Sequence, residues 1–148
     1  ETGALAVCPD TLAIRTAAFF SPHDRHNFAM AVERCLGEGH VFHASDDAVV
    51  SPTYVPDLTR ACLDLVVDGE RGIWHLANAG AVSWLSFGRV IAEALGLDRE
   101  RVQPASADDL GWRAQRPRYA ALASERGSPL PSLEAAIARF ADARRSAA

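Results

Sequence analysis

Lysine is absent from this sequence; all fifteen basic side chains are arginine. That absence excludes a Schiff-base lysine, a G-x-x-x-x-G-K-[ST] phosphate loop and a Tyr-x-x-x-Lys proton-transfer pair. The two tyrosines, Tyr54 and Tyr119, have no lysine downstream. Cysteine is sparse: Cys8, Cys35 and Cys62 are odd in number, widely spaced and without a C-x-x-C. Each lies among Ala, Leu or Val, so the expectation is buried free thiols, not a metal site or a disulfide framework. No run approaches the roughly 18 apolar residues of a membrane-spanning helix. No basic segment followed by an apolar run opens the chain, so a signal peptide is not expected. A reduced, cytoplasmic setting follows. The formal net charge is −4 and no long basic run occurs, which makes nucleic acid and anionic membranes poor partners.

What remains is an ordinary globular composition, with 49% apolar and 23% charged residues. The 148 residues fit a single domain over residues 1–148, long enough to bury roughly 70% of the unfolded surface. Glu1 to Cys8 reads as the tail of a helix that began upstream, so residue 1 is expected to be a domain or fragment boundary. Leu12–Ala17 reads as a short buried strand, Val41–His43 as another and Ile73–Leu76 as a third. Phe28, Val32 and Leu36 recur at helical spacing, as do Leu58, Ala61, Cys62, Leu65 and Val66. Ser83 is placed to cap a helix carrying Trp84, Phe87, Ile91 and Leu95, and Ser132 to cap a last helix carrying Leu133, Ile137 and Phe140. Val102–Ala105 reads as an edge segment at most, and 113–131 as mostly irregular. Alternating strands and helices argue α/β with some parallel pairing, with short strands and about four main helices.

Candidate chemistry is thin. No Ser/His/Asp set has supporting context, so no catalytic residue is assigned. His23, Asp24 and His26 read as loop surface, a weak ligand set, and no metal site is expected. His75 reads as a core histidine. Asn27, at a helix start, is either a cap or a donor to a ligand phosphate beside the positive end of the helix dipole. Thr53 and Tyr54 read as loop residues that support the following helix. Arg116 is either solvated or, as a planar fork, suited to bidentate contact with phosphate oxygens. Asp57 reads as a first-turn acid favouring the helix dipole.

One ordered set of segments carries more. Ser51-Pro52-Thr53-Tyr54-Val55-Pro56-Asp57-Leu58 is followed by Gly72-Ile73-Trp74-His75-Leu76-Ala77-Asn78 and then Ser83-Trp84-Leu85-Ser86-Phe87. With Arg15–Ser21, Asn27-Phe28, Asp47 and Arg116-Pro117 before Leu122, this resembles the C-terminal, substrate-binding half of the dTDP-4-dehydrorhamnose reductases, which are extended short-chain dehydrogenase/reductases. Four positions depart from the family. Ala18 occupies a position that is commonly Trp near the sugar, Ser21 one that is commonly Gly, and Ala48 and Val50 replace the usual Gln and Gly. The sugar specificity of the family is therefore not carried over.

The resemblance implies a part of an NAD(P)H-dependent reductase of a dTDP-4-keto-6-deoxy sugar. NAD(P)H would be held mainly by an N-terminal Rossmann half that also carries the Tyr/Lys pair, and this chain alone would be inactive. It further implies that Asn27, Thr53, Tyr54 and Arg116 bind a nucleotide-diphosphate sugar, with Arg116 on the diphosphate. A homodimer is compatible with it. The alternative is a non-catalytic regulatory or fused binding module of the same fold. A last expectation is an apolar patch around Leu12, Ile14, Phe19 and Phe20, where the other half would pack.

Overall fold

The computed structural model describes residues 1–111, 114, 116–127 and 130–147. Its elements run α1 (Thr2–Val7), β1 (Leu12–Arg15), β2 (Phe19–Phe20), α2 (Phe28–Gly37), β3 (Phe42–Ser45), β4 (Val49–Val50), β5 (Thr53–Tyr54), α3 (Val55–Val67), β6 (Gly72–His75), β7 (Val82–Ser83), α4 (Trp84–Ala94), β8 (Val102–Ala105), β9 (Tyr119–Ala120) and α5 (Leu133–Ala147). A short 3₁₀ turn, Arg99–Arg101, leads into β8. The fold is α/β with short strands, and α2 to α5 are its main helices.

Local chemistry explains the helix starts. Asn27 Oδ1 accepts the Met30 N–H at 3.1 Å, and Ser83 Oγ accepts the Ser86 N–H at 3.1 Å. Ser132 Oγ accepts the Ala135 N–H at 3.3 Å. Each satisfies a first-turn donor that has no partner within the helix. Pro56 and Asp57 sit in the first turn of α3, where a missing N–H is harmless and a negative charge meets the positive end of the dipole.

Four small sheets hold the strands: β1 with β6, β2 with β5, β3 with β8, and β7-β4-β9. All pairings are parallel except β4 with β7. Val102–Ala105 is thus more than an edge segment; it pairs with β3 over four residues, from Phe42↔Val102 to Ser45↔Ala105. Pro104 is tolerated because each strand of this pair keeps a free side.

Two cores result. The larger gathers Phe20, Val32, Leu36, Phe87, Ile91, Val102, Ile137 and Phe140 between α2, α4, α5 and the β3–β8 pair. Gly88 lets α4 approach that pair closely: a Cβ there would stand 3.0 Å from Val102 and 3.4 Å from Phe28. The smaller core places Ala61 and Leu65 of α3 against Trp74, Leu76 and Leu130, with Leu12 and Ile14 alongside.

Three expectations change here. Phe20 is fully buried, and Leu12 and Ile14 are half-buried against the smaller core, so of the anticipated patch only Phe19 stays well exposed, at 51%. Strand alternation turns Phe19 outward and Phe20 inward. Cys8 is exposed, while Cys35 and Cys62 are half-buried. His75 is half-buried and not a core side chain.

Candidate functional site

Two cavities meet at Arg116. One, of about 260 Å³, is walled by Phe28 from the start of α2, Phe42, His43 and Ser45 of β3, and Trp84 from the start of α4, with Arg116 at its margin. Its aromatics brace one another. The Phe28 ring lies 4.7 Å from Trp84 and 5.4 Å from Phe42, and it stacks on Phe87 at 5.5 Å. Such a cluster offers a preorganised apolar face with a polar rim, the usual make-up of a small-molecule site. The other cavity, of about 570 Å³, lies between Ala107, Asp108, Gly111, Arg116, Pro117 and Arg118.

A carboxylate ties these walls together. Asp47, in the β3–β4 turn, accepts from Ser45 Oγ at 2.7 Å, the Ala107 N–H at 2.9 Å, Ser106 Oγ at 3.2 Å and the Arg118 guanidinium. The Ser45 hydroxyl, the Ala107 N–H, the Ser106 hydroxyl and the Arg118 charge hold its carboxyl down at about 2, against the opposing effect of desolvation. Arg118 also donates to Asp108 at 2.8 Å, so two carboxylates compensate its charge.

The four residues singled out from the sequence are placed differently from one another. Arg116 is exposed and lines both cavities. Asn27 is 7% exposed, and its amide donates to Ser21 O at 2.7 Å and Asp24 O at 2.6 Å while its oxygen caps α2. Its hydrogen-bonding capacity goes into building the loop beside Phe28. Thr53 is fully buried, its hydroxyl 3.3 Å from that of Thr16. Tyr54 is 4% exposed, with its ring 5.2 Å from Phe20. Burial, with the Asp57 charge nearby and against the pull of Arg139, raises its phenol pKa. Arg113, beside Arg116 in sequence, lies outside the described residues.

Behind Tyr54, Asn78 is 2% exposed and joins three segments. It accepts the Tyr54 N–H at 2.7 Å and donates to Pro131 O at 2.9 Å and Asp57 at 3.1 Å. Asp57 in turn pairs with Arg139 of α5 at 2.5 Å. The first-turn acid is therefore a tie between α3 and α5.

At the C-terminal ends of β1 and β6, Glu1 accepts from Arg15 at 2.6 Å, and Arg15 Nη1 lies 3.1 Å from His75 Nε2. Just past β1, Ala18 has φ +48°, left-handed backbone that costs a non-glycine residue roughly 1–2 kcal/mol. The Thr53 N–H bonds its carbonyl at 3.0 Å and holds it there.

The RmlD substrate binding domain family matches the chain over residues 1–143. The chain belongs to this family. The dTDP-4-dehydrorhamnose reductase of Mycolicibacterium smegmatis is 38% identical over 129 residues, covering 86% of this chain and 39% of that protein. The enzyme of the same name from Mycobacterium tuberculosis is 39% identical over 126 residues, covering 84% of this chain and 41% of its own length. Among solved structures, a dTDP-4-dehydrorhamnose reductase from Clostridium acetobutylicum superposes with a TM-score of 0.87 at 25% identity, covering 98% of this chain and 52% of that one. The Bacillus anthracis enzyme, solved in complex with NADP, gives a TM-score of 0.79 at 27% identity, over 87% of this chain and 47% of that one. The chain thus spans about two-fifths of the curated relatives' length and about half of the solved chains.

Within this RmlD-type domain, sequence reasoning did not single out the aromatic wall or Asp47 as part of a site. Phe28, Phe42 and Trp84 each looked like core positions, and only the tertiary fold brings them to one cavity. A short motif signal existed for Asp47, through its place before Ser51-Pro52-Thr53, and for Phe28 and Trp84, through the Asn27-Phe28 and Ser83–Phe87 segments.

Proposed function

We propose that this chain is the nucleotide-sugar-binding part of an NAD(P)H-dependent reductase of a dTDP-4-keto-6-deoxy sugar. The observation that carries the reading is the pair of cavities sharing Arg116: an aromatic one suited to a nucleobase and a polar one suited to a diphosphate. A base ring stacks well on aromatic faces, and a planar guanidinium forms paired charge-assisted bonds to phosphate oxygens. In this reading Arg116 contacts the diphosphate and Asn27 shapes the loop that presents Phe28. When bound, NAD(P)H would supply the hydride; it would be held mainly by a preceding Rossmann half, which would also deliver the proton. This chain's contribution is to hold the sugar nucleotide in a reactive orientation, which by itself accounts for a large part of a rate enhancement.

The test is NADPH oxidation with dTDP-4-dehydrorhamnose. The full-length protein should turn over at about 1 per second or faster, and the 148-residue chain alone should not. Full-length protein that binds dTDP without turnover would identify a non-catalytic module of the same fold. Turnover by the isolated chain would contradict the division of labour.

A further inference from the structure

Resting on the reading of Arg116 as the diphosphate contact, we propose that Asp47 is a positioning residue for nucleotide binding: its carboxylate clasps the two ends of the segment that carries Arg116 and so sets where that guanidinium stands. The geometry is a closed circuit. Asp47 takes hydrogen bonds from Ser106 and Ala107, where the chain leaves β8, and from Arg118, where it enters β9. Arg118 reaches across to Asp108, which joins the two ends a second time. The Val49 N–H bonds Arg118 O at 2.8 Å, so the turn bearing Asp47 and the start of β9 are also stitched through the backbone.

This circuit is the frame of both cavities. Ala107, Asp108 and Arg118 wall the polar one, and Ser45, which donates to Asp47 at 2.7 Å, walls the aromatic one. Arg116 lies two residues from the clasped Arg118. Four donors from three separate stretches of chain converge on this one carboxylate, at the point where the β3–β8 and β4–β9 pairings end or begin and leave the connecting turns to side-chain bonds. With its carboxyl held at about 2 the clasp stays ionised at any ordinary pH.

The test is a double-variant cycle in the full-length protein, with dTDP as the probe and calorimetric titration as the readout. Asp47→Asn keeps the shape but loses the charge that holds Arg118, and it should weaken dTDP binding about tenfold, as expected for a displaced contact group. Arg116→Ala removes the contact itself. If Asp47 acts through Arg116, adding Asp47→Asn to Arg116→Ala weakens binding no further, because the two changes remove one interaction. In parallel, amide exchange over residues 106–111 should quicken in the Asp47→Asn protein without ligand.

Ser106→Ala, which deletes one donor to the same carboxylate, gives a smaller loss by the same logic and serves if Asp47→Asn does not fold. Unchanged dTDP affinity in a folded Asp47→Asn protein overturns the proposal. So does a loss that adds in full to that of Arg116→Ala, since that describes general loosening and not positioning. Wild-type protein that fails to bind dTDP overturns the functional reading first, and this one with it.

Discussion

Asn78→Ala should destabilise the protein by about 2–3 kcal/mol, because it strands one buried backbone N–H and removes two further hydrogen bonds. The Tyr54 N–H loses its partner at a buried site, Pro131 O keeps only the Ala79 N–H, and Asp57 keeps Arg139 but loses its second donor. A buried group left without a hydrogen bond costs about 1–3 kcal/mol, more than the mean worth of the bond itself. The control is Asn78→Asp. It preserves size and an acceptor for Tyr54 but sets a carboxylate against Asp57, and it should be no more stable than the alanine variant. Urea unfolding followed by tryptophan fluorescence reads both. A loss under about 1 kcal/mol, the level of ordinary surface changes, would show that water or a local shift replaces Asn78.

Phe20→Ala should cost a similar or larger amount, about 3–5 kcal/mol. Phe20 is fully buried at the meeting point of three elements, with ring centroids 5.2 Å from Tyr54, 5.3 Å from Phe87 and 5.8 Å from Phe140. The close-packed interior cannot collapse onto the void without moving α4 or α5. Phe20→Leu, which retains most of the volume, should recover most of the loss. The neighbouring Phe19→Ala, at an exposed site, should leave stability nearly unchanged. Equal costs at Phe19 and Phe20 would refute the inward placement of Phe20.

These two residues mark what the sequence could and could not reveal. Helix starts at Asn27, Ser83 and Ser132 were legible because a cap acts within four residues of itself. The helix faces carrying Val32, Leu65, Ile91 and Phe140 were legible for the same reason: periodicity is local. Phe20 was not, since β2 has two residues and only its pairing with β5 decides which ring points inward. The strand Val102–Ala105 was undervalued because its partner, β3, lies far upstream. For the site, the family resemblance drew attention to Arg116, and the structure adds the cavities it borders. Asn27, Thr53 and Tyr54 are buried. The aromatic wall was hidden, since Phe28, Phe42 and Trp84 follow patterns that serve a core equally well.

The central claim, that the cavities around Arg116 hold the nucleotide diphosphate, is tested most directly by titrating dTDP into full-length wild-type and Arg116→Ala protein. A charge-assisted hydrogen bond is worth roughly 1.5–3 kcal/mol, so the variant should bind about ten- to a hundredfold more weakly. Arg116→Lys should recover only part of the loss, because an ammonium cannot reproduce the planar fork. Measurable dTDP binding by the wild type with unchanged affinity in Arg116→Ala would contradict the account.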